Sequence, residues 1–425
     1  MTDDRFTLEY ARAHDAECPL RGFRHEFLIP LHDGREQAYF CGNSLGLQPR
    51  GARAHVEEVL DKWATEAVEG HFTGQAQWMP YHELLREPLA AIVGAKPEEV
   101  VAMNSLTANL HLMMVSFYQP SAERTAILIE AGSFPSDRYA VESQLRYRGL
   151  SPETELIEVE PDLPGGVFSM EAIARAIRDN ASRLALVLWP GVQYRTGQAF
   201  DLKEIARLGH EAGAIAGFDL AHAVGNLDLA LHDDGADFAV WCHYKYMNAG
   251  PGAVGGCFVH ERHAETARPR FAGWWGNDKA VRFKMGPQFD PTPGADGWQL
   301  SNPPILGLAP LRASVEQFQR AGLKALRGKS RRLTGYLEAL IDAHLSEAIE
   351  ILTPRDEAQR GAQLSLRVKA GGDAGRSLFD HLQSRGVLGD WREPDVIRIS
   401  PAPLYNNHED ILRFVGAAKE WIDAC

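Results

Sequence analysis

The chain has 425 residues, with 57 acidic against 44 basic side chains and a formal net charge of −13. That balance excludes a nucleic-acid polyanion as the expected partner, because a phosphate backbone calls for clustered Lys and Arg. Apolar residues at 45% and charged residues at 24% are ordinary for a globular chain and exclude disorder as the main state, and at roughly 150 residues per domain the length allows several domains or one large α/β unit.

Residues 1–60 read as an N-terminal arm and helix. From about residue 100, short β-branched runs alternate with helical stretches. Strands are expected at 100–103, 125–131, 155–159, 184–189, 214–219, 238–242 and 253–259. Helices are expected between them at 104–118, 136–148, 169–180 and 202–212, with apolar residues at three- and four-residue spacing. Such alternation predicts an α/β fold, a mostly parallel central sheet flanked by helices, over a large domain at 61–310. The segment 271–304 is rich in Gly, Pro and Trp and reads as a long loop, a common place for function. Residues 308–345 read as one strongly helical stretch. Strands at 349–352, 363–368 and 396–399, with helices near 375–385 and 408–424, complete a smaller α+β C-terminal domain at 311–425.

No apolar run approaches the ~18 residues of a membrane helix, and the acidic start lacks the form of a signal peptide. The five cysteines (Cys18, Cys41, Cys242, Cys257, Cys425) form no CxxC pair. Neither a disulfide framework nor a cysteine-type zinc site is expected, and a reducing cytoplasm is the expected compartment.

In open α/β sheets, ligands bind at the carboxyl ends of the strands. That rule selects Leu106 and Thr107, the run Phe134-Pro135-Ser136-Asp137, Asp219 to His222, and Tyr244 with Lys245. Asp219 ends one apolar run, and Lys245 follows another. A buried Lys becomes a nucleophilic amine, and an Asp can hold a pyridinium nitrogen cationic, the pairing used with pyridoxal phosphate. An ordinary Asp–Lys ion pair is the plainer alternative. Thr107 at a helix start offers an anion site or a plain N-cap. Phe134 suits stacking on a cofactor ring with Asp137 at its edge, or the run is a Pro turn with an Asp cap. His222 steers Asp219 or is a structural histidine. Trp274, Trp275 and Asn302 offer donors from the long loop, or packing. Arg398, inside an apolar strand, needs a partner: a substrate carboxylate held bidentately or an internal salt bridge.

Other pattern matches fail on context. Gly42-Asn-Ser44-Leu-Gly46 fits G-x-S-x-G, but only about forty residues precede it, too few for a nucleophile elbow. Gly250 to Gly255 fits G-x-G-x-x-G but leads into a strand. Gly328-Lys-Ser330 lacks the first Gly of a P-loop, and no HExxH occurs. His260-Glu-Arg-His263 reads as a polar surface run, and no metal is expected.

The stretches CGNSLGLQP (41–49), NSLTANLHL (104–112), GSFPSD (132–137), TGQAFD (196–201), GFDLAHAVGN (217–226), WCHYKYMNAGPG (241–252), GWWG (273–276), RFKMG (282–286) and SNPPIL (301–306) together resemble the kynureninase family. Its members are pyridoxal-phosphate hydrolases of fold type I, the aspartate aminotransferase superfamily. The resemblance implies that Lys245 holds the cofactor covalently, Asp219 pairs with its ring nitrogen and His222 supports it. Leu106 and Thr107 would bind phosphate, and Phe134 would stack on the ring with Pro135, Ser136 and Asp137 beside it. Tyr244 would touch the phosphate and donate a proton. Arg398 would hold the substrate carboxylate, with Ser44, His71 and Asn302 lining the aryl pocket. Trp274 and Asn302 would come from the neighbouring subunit, which implies a homodimer with a shared active site. The substrate implied is L-kynurenine or its 3-hydroxy form, cleaved to an anthranilate and L-alanine in tryptophan catabolism and NAD biosynthesis. Pro190 is a departure, standing where some animal members carry Ser. Rival readings are a desulfurase or other fold type I lyase, a hydrolase using Ser44, and a cofactor-less binding protein.

Overall fold

The computed structural model describes residues 4–424; residues 1–3 and Cys425 lie outside the described residues. A seven-stranded sheet forms the centre of the chain. Its strands are β1 (Val100–Ala102), β2 (Ala126–Glu130), β3 (Leu156–Val159), β4 (Leu184–Pro190), β5 (Ile215–Asp219), β6 (Phe238–Cys242) and β7 (Gly255–Val259). The spatial order is β1-β7-β6-β5-β4-β2-β3. All neighbours pair in parallel except β7, which lies antiparallel between β1 and β6. Strands β2 and β6 are buried along their whole length, AILIE and FAVWC. Continuous apolar runs of this kind arise because helices cover both faces of such a sheet.

A second sheet is antiparallel: β8 (Ile349–Ile351), β9 (Leu364–Val368), β10 (Asp390–Arg392) and β11 (Val396–Ile399), in the order β8-β9-β11-β10. Its core takes Leu337 and Ile341 from helix Leu323–His344, Leu382 from helix Gly372–Ser384 and Phe414 from helix His408–Ala424. Ala38 and Phe40 join this cluster, and Ala38–Tyr39 pairs in parallel with Val387–Leu388.

The α/β class and most elements match the sequence expectation. The helical stretch expected at 308–345 is divided into two helices, Ile305–Ala321 and Leu323–His344. Between them Gly322 takes φ +76°, a conformation open chiefly to glycine, which redirects the chain. The expected loop at 271–304 contains three short helical turns. It is pinned by the Arg86–Asp296 ion pair and by Trp298 Nε1 donating to Ser116 Oγ at 2.8 Å. The N-terminal arm carries two helices, Leu8–Glu17 and Arg50–Glu66, where the sequence reading gave one without bounds, and strand β10 was not read at all, because Asp390-Trp-Arg392 has no apolar alternation. Among the described residues, no helix is long and apolar enough to cross a membrane.

Candidate active site

Strands β5 and β6 lie side by side with Asp219 opposite Val240, so Asp219 stands at the carboxyl edge of the sheet. Close packing there requires Gly217, because a Cβ at that position would collide with the Phe238 ring. The chain leaves β6 at Cys242 and turns, which places Tyr244 and Lys245 beyond the same edge. The 41–49 loop braces that turn: the Gly46 N–H donates to the Tyr244 carbonyl at 2.8 Å. A side chain at Gly46 would strike Asn248 and the Lys245 carbonyl.

These elements form a cleft bounded by Thr107, Phe134, Asp137, Asp219, His222 and Lys245 among others. Lys245 Nζ lies 2.9 Å from His222 Nε2 and 5.9 Å from the centroid of the Phe134 ring. Burial, and then the Lys245 charge, hold His222 well below the usual imidazole range. With His222 neutral, Nε2 accepts from the Lys245 amine and Nδ1 carries the ring proton. Nδ1 is buried without a partner.

Asp219 Oδ1 accepts from the Ala221 N–H at 2.7 Å. Its carboxyl also meets that of Asp137, and burial followed by the adjacent Asp219 charge raises Asp137 well above the ordinary carboxyl range. Asp137 therefore keeps its proton beside Asp219, and its Oδ1 is buried without a partner. Tyr244 is raised by burial, then by Cys242, and remains a neutral phenol. At the other end, Thr107 Oγ1 and Ser136 Oγ meet at 2.8 Å. They sit in the first turns of helices Leu106–Phe117 and Pro135–Tyr147, so two positive helix ends converge on one spot.

Arg398 on β11 is fully buried. Its Nη2 donates to Asp390 Oδ2 at 2.6 Å and its Nη1 to the Tyr194 carbonyl at 2.8 Å. The internal salt bridge weighed from the sequence is thus present. Tyr194 itself borders the cleft and sets its ring edge-on to Phe134 at 5.3 Å. Tyr194 and Glu130 escaped sequence reasoning, although Glu130, at the end of β2, met the carboxyl-end rule. Burial raises the Glu130 carboxyl well above its ordinary value.

Ser44 lies half-buried in the loop whose Gly46 touches Tyr244, without the strand-turn-helix of a nucleophile elbow. His71, Trp274 and Asn302 do not border the Lys245 cleft, and neither do Ser44 and Arg398. His71 Nδ1 lies 3.0 Å from the Val68 carbonyl, and its ring packs edge-on against Trp78 at 5.2 Å. Trp274 is 41% exposed, with its Nε1 donating to the Arg282 carbonyl at 3.3 Å, and Asn302 is exposed.

The other sequence matches resolve structurally. Gly328 to Ser330 lies within a helix, and Gly250 to Gly255 leads into β7. His260 and His263 are buried, contrary to the surface expectation. His263 Nε2 meets Asp237 Oδ1 at 2.7 Å, and His260, His232 and Glu99 cluster with one possible metal-ligand atom each within 4.8 Å. Glu99 there accepts the backbone N–H groups of Lys96 and Glu261, both at 2.8 Å, which ties three segments together. Cys18, Cys41, Cys242 and Cys257 are free thiols. Burial pushes the Cys41 thiol up to about 12 and raises Cys242, so neither offers a thiolate.

The residues fit pyridoxal phosphate. Phe134 borders the cleft and is 42% exposed, unpartnered polar atoms of Asp137 and His222 are buried at the cleft, and the Thr107–Ser136 hydroxyls sit at the paired helix ends. Solved structures of similar fold include an apo cysteine desulfurase from Thermococcus onnurineus NA1, with TM-score 0.71, 19% identity, and coverage of 92% of this chain and 95% of that one. Another is a C-DES variant with glycine covalently linked to its PLP cofactor, with TM-score 0.75, 19% identity, and coverage of 93% and 99%. The fold and the site define a pyridoxal-phosphate enzyme of fold type I. A family model described as the kynureninase C-terminal domain matches residues 326–417. Kynureninase of Xanthomonas campestris pv. campestris (strain B100) is 65% identical over 424 residues, covering 100% of both chains. That of Xanthomonas euvesicatoria pv. vesicatoria (strain 85-10) is also 65% identical, covering 99% of this chain and 100% of its own. The chain belongs to the kynureninase family.

Proposed function

We propose that this enzyme hydrolyses the Cβ–Cγ bond of L-kynurenine, or of 3-hydroxy-L-kynurenine, to the corresponding anthranilate and L-alanine. The observation that carries the reading is the cleft in which Lys245, His222, Asp219 and Phe134 face one another in a chain of this family. Pyridoxal phosphate, when bound, supplies an electron sink for the substrate's α-carbon.

The chain's own residues do the rest. Lys245 would hold the cofactor and, once freed, carry the α-proton. Asp219 would keep the ring nitrogen protonated, its carboxylate held by the Ala221 N–H and the Asp137 carboxyl. Phe134 would stack on the ring. Leu106, Thr107 and Ser136 would bind the phosphate with hydroxyls and N–H groups at the two helix ends, Pro135 shaping the start of the second helix, and Pro190 borders the cleft where some relatives are polar. Water adds to the γ-carbonyl, and Tyr244, a neutral phenol, gives its proton to Cβ as the bond breaks. Arg398 holds the substrate carboxylate.

The same proposal places Trp274 and Asn302 in the site of a second subunit of a cytoplasmic homodimer, with Ser44 and His71 along the aryl pocket. What supports it is that Trp274 and Asn302 lie exposed and outside the lining of their own Lys245 cleft. It also divides the chain into an arm at 1–60, a large domain at 61–310 and a small one at 311–425.

The test is to add L-kynurenine to the purified holoenzyme. Anthranilate fluorescence and L-alanine should rise together in equal amounts, with no sulfide released from cysteine. Borohydride reduction and peptide mapping should place the cofactor on Lys245. A label elsewhere, or sulfide without anthranilate, would refute the reading.

A further inference from the structure

Arg398 and Arg392 share a single carboxylate. Asp390 Oδ2 accepts from Arg398 Nη2 at 2.6 Å and from Arg392 Nη2 at 3.1 Å. The arrangement follows from the hairpin: Asp390 on β10 is the register partner of Arg398 on β11, so their side chains share a face. Arg392 lies two residues further along β10 and returns to that face.

The trio carries a net charge of +1. A buried guanidinium needs both a counter-charge and acceptors for its five N–H groups. Asp390 supplies the counter-charge to Arg398, and the Tyr194 carbonyl takes one more N–H. The Nε atoms of Arg398 and Arg392 are both buried without an acceptor. One further carboxylate would balance the charge and offer acceptors where none exists.

We propose that Asp390 is the positioning residue for substrate-carboxylate binding: it holds the buried Arg398 guanidinium in the plane that an α-carboxylate meets, with Arg392 anchored to the same oxygen. This rests on the reading of Arg398 as the carboxylate site. Relief of charge repulsion on losing Asp390 opposes the effect. Orientation outweighs it, because bidentate recognition depends on the plane of the fork.

The experiment compares Asp390→Ala, Asp390→Asn, Arg398→Ala and the double variant Asp390→Ala/Arg398→Ala as holoenzymes. Three ligands are used: L-kynurenine, L-alanine, and kynuramine, which is kynurenine without its α-carboxylate. Both Asp390 variants should raise KM for kynurenine and the calorimetric Kd for alanine by about 10- to 100-fold, with kcat within a few-fold of the parent. Inhibition by kynuramine should not change. The double variant should bind alanine no more weakly than Arg398→Ala alone, the signature of one residue acting through another. Should the alanine variant fail to fold, the near-isosteric Asp390→Asn supplies the same comparison. A lower KM in the Asp390 variants, equal losses for kynuramine, or additive losses in the double variant would overturn the positioning role. Unchanged affinities in Arg398→Ala would instead remove the carboxylate reading itself.

Discussion

Lys245 Nζ lies 2.9 Å from His222 Nε2, and the imidazole in that contact is neutral because burial and the Lys245 charge both oppose its protonation. The lysine amine is therefore held by an acceptor rather than by a second cation. Replacing it should abolish the function of the cleft. Lys245→Ala is expected to lose the visible absorption of bound cofactor after dialysis and to lower turnover by roughly 10³-fold or more. A yellow, active variant would remove Lys245 from its role.

Asp219 sits behind the site with only 8% of its surface exposed. Asp219→Ala should leave the circular-dichroism spectrum and melting temperature near those of the parent, while kcat falls by about 10²- to 10⁴-fold, a typical range for losing an essential proton-holding group. Unaltered turnover would show that the ring nitrogen needs no carboxylate here.

Burial lowers both His82 and His243 from 6.5 to about 4. An unfolded histidine takes up a proton near pH 6.5 that the folded protein resists. Their stability contribution is thus complete above pH 6.5 and is lost as pH falls toward about 4. The melting temperature should drop through that window. His82→Gln, which cannot titrate, should show a shallower drop, the difference amounting to a few kcal/mol at most. Parallel curves for variant and parent would contradict the assignment.

Gly46 and Gly51 lie five residues apart and should respond oppositely to alanine. At Gly46 the new methyl meets Asn248 and the Lys245 carbonyl, and overpacking of that kind costs about 1–3 kcal/mol. Because it presses on the Lys245 turn, kcat should fall as well. At Gly51, inside helix Arg50–Glu66, the nearest atom is the Ala313 Cβ at an ordinary 3.6 Å. There alanine should stabilise by up to about 1 kcal/mol, through helix propensity, without touching activity. Thermal melts and initial rates on both variants decide this.

A subunit-shared site makes a quantitative prediction. Lys245→Ala and Asn302→Ala should each be nearly inactive alone. Refolded together in equal amounts, half the dimers are mixed, and each has one intact site of two, so activity should recover to about a quarter of the parent. No recovery on mixing would mean that Asn302 serves its own chain or none.

Much of this was legible in the residues. The alternation of apolar strands and amphipathic helices predicted the α/β sheet, and the rule that ligands sit at carboxyl ends selected Asp219, His222, Lys245, Phe134 and Thr107 before any coordinates. Those features are local, since each depends on a short window and a strand end. The surroundings of Arg398 were not: Asp390 belongs to a strand with no apolar alternation, and Tyr194 follows a different sheet altogether. From the sequence His260 and His263 read as solvent-facing, because nothing near them along the chain announces Asp237 and Glu99 as their partners.

By itself the sequence determined which residues can carry the chemistry and at which strand ends they stand, because hydrophobic periodicity and chain order are properties of neighbours along the chain. Only the tertiary structure decided the direction of β7, the break at Gly322, the pressing of Gly46 against the Lys245 turn and the Asp390–Arg398 pair. Each of these depends on segments far apart in sequence being brought within a few ångströms, where packing and charge are settled by geometry rather than by order.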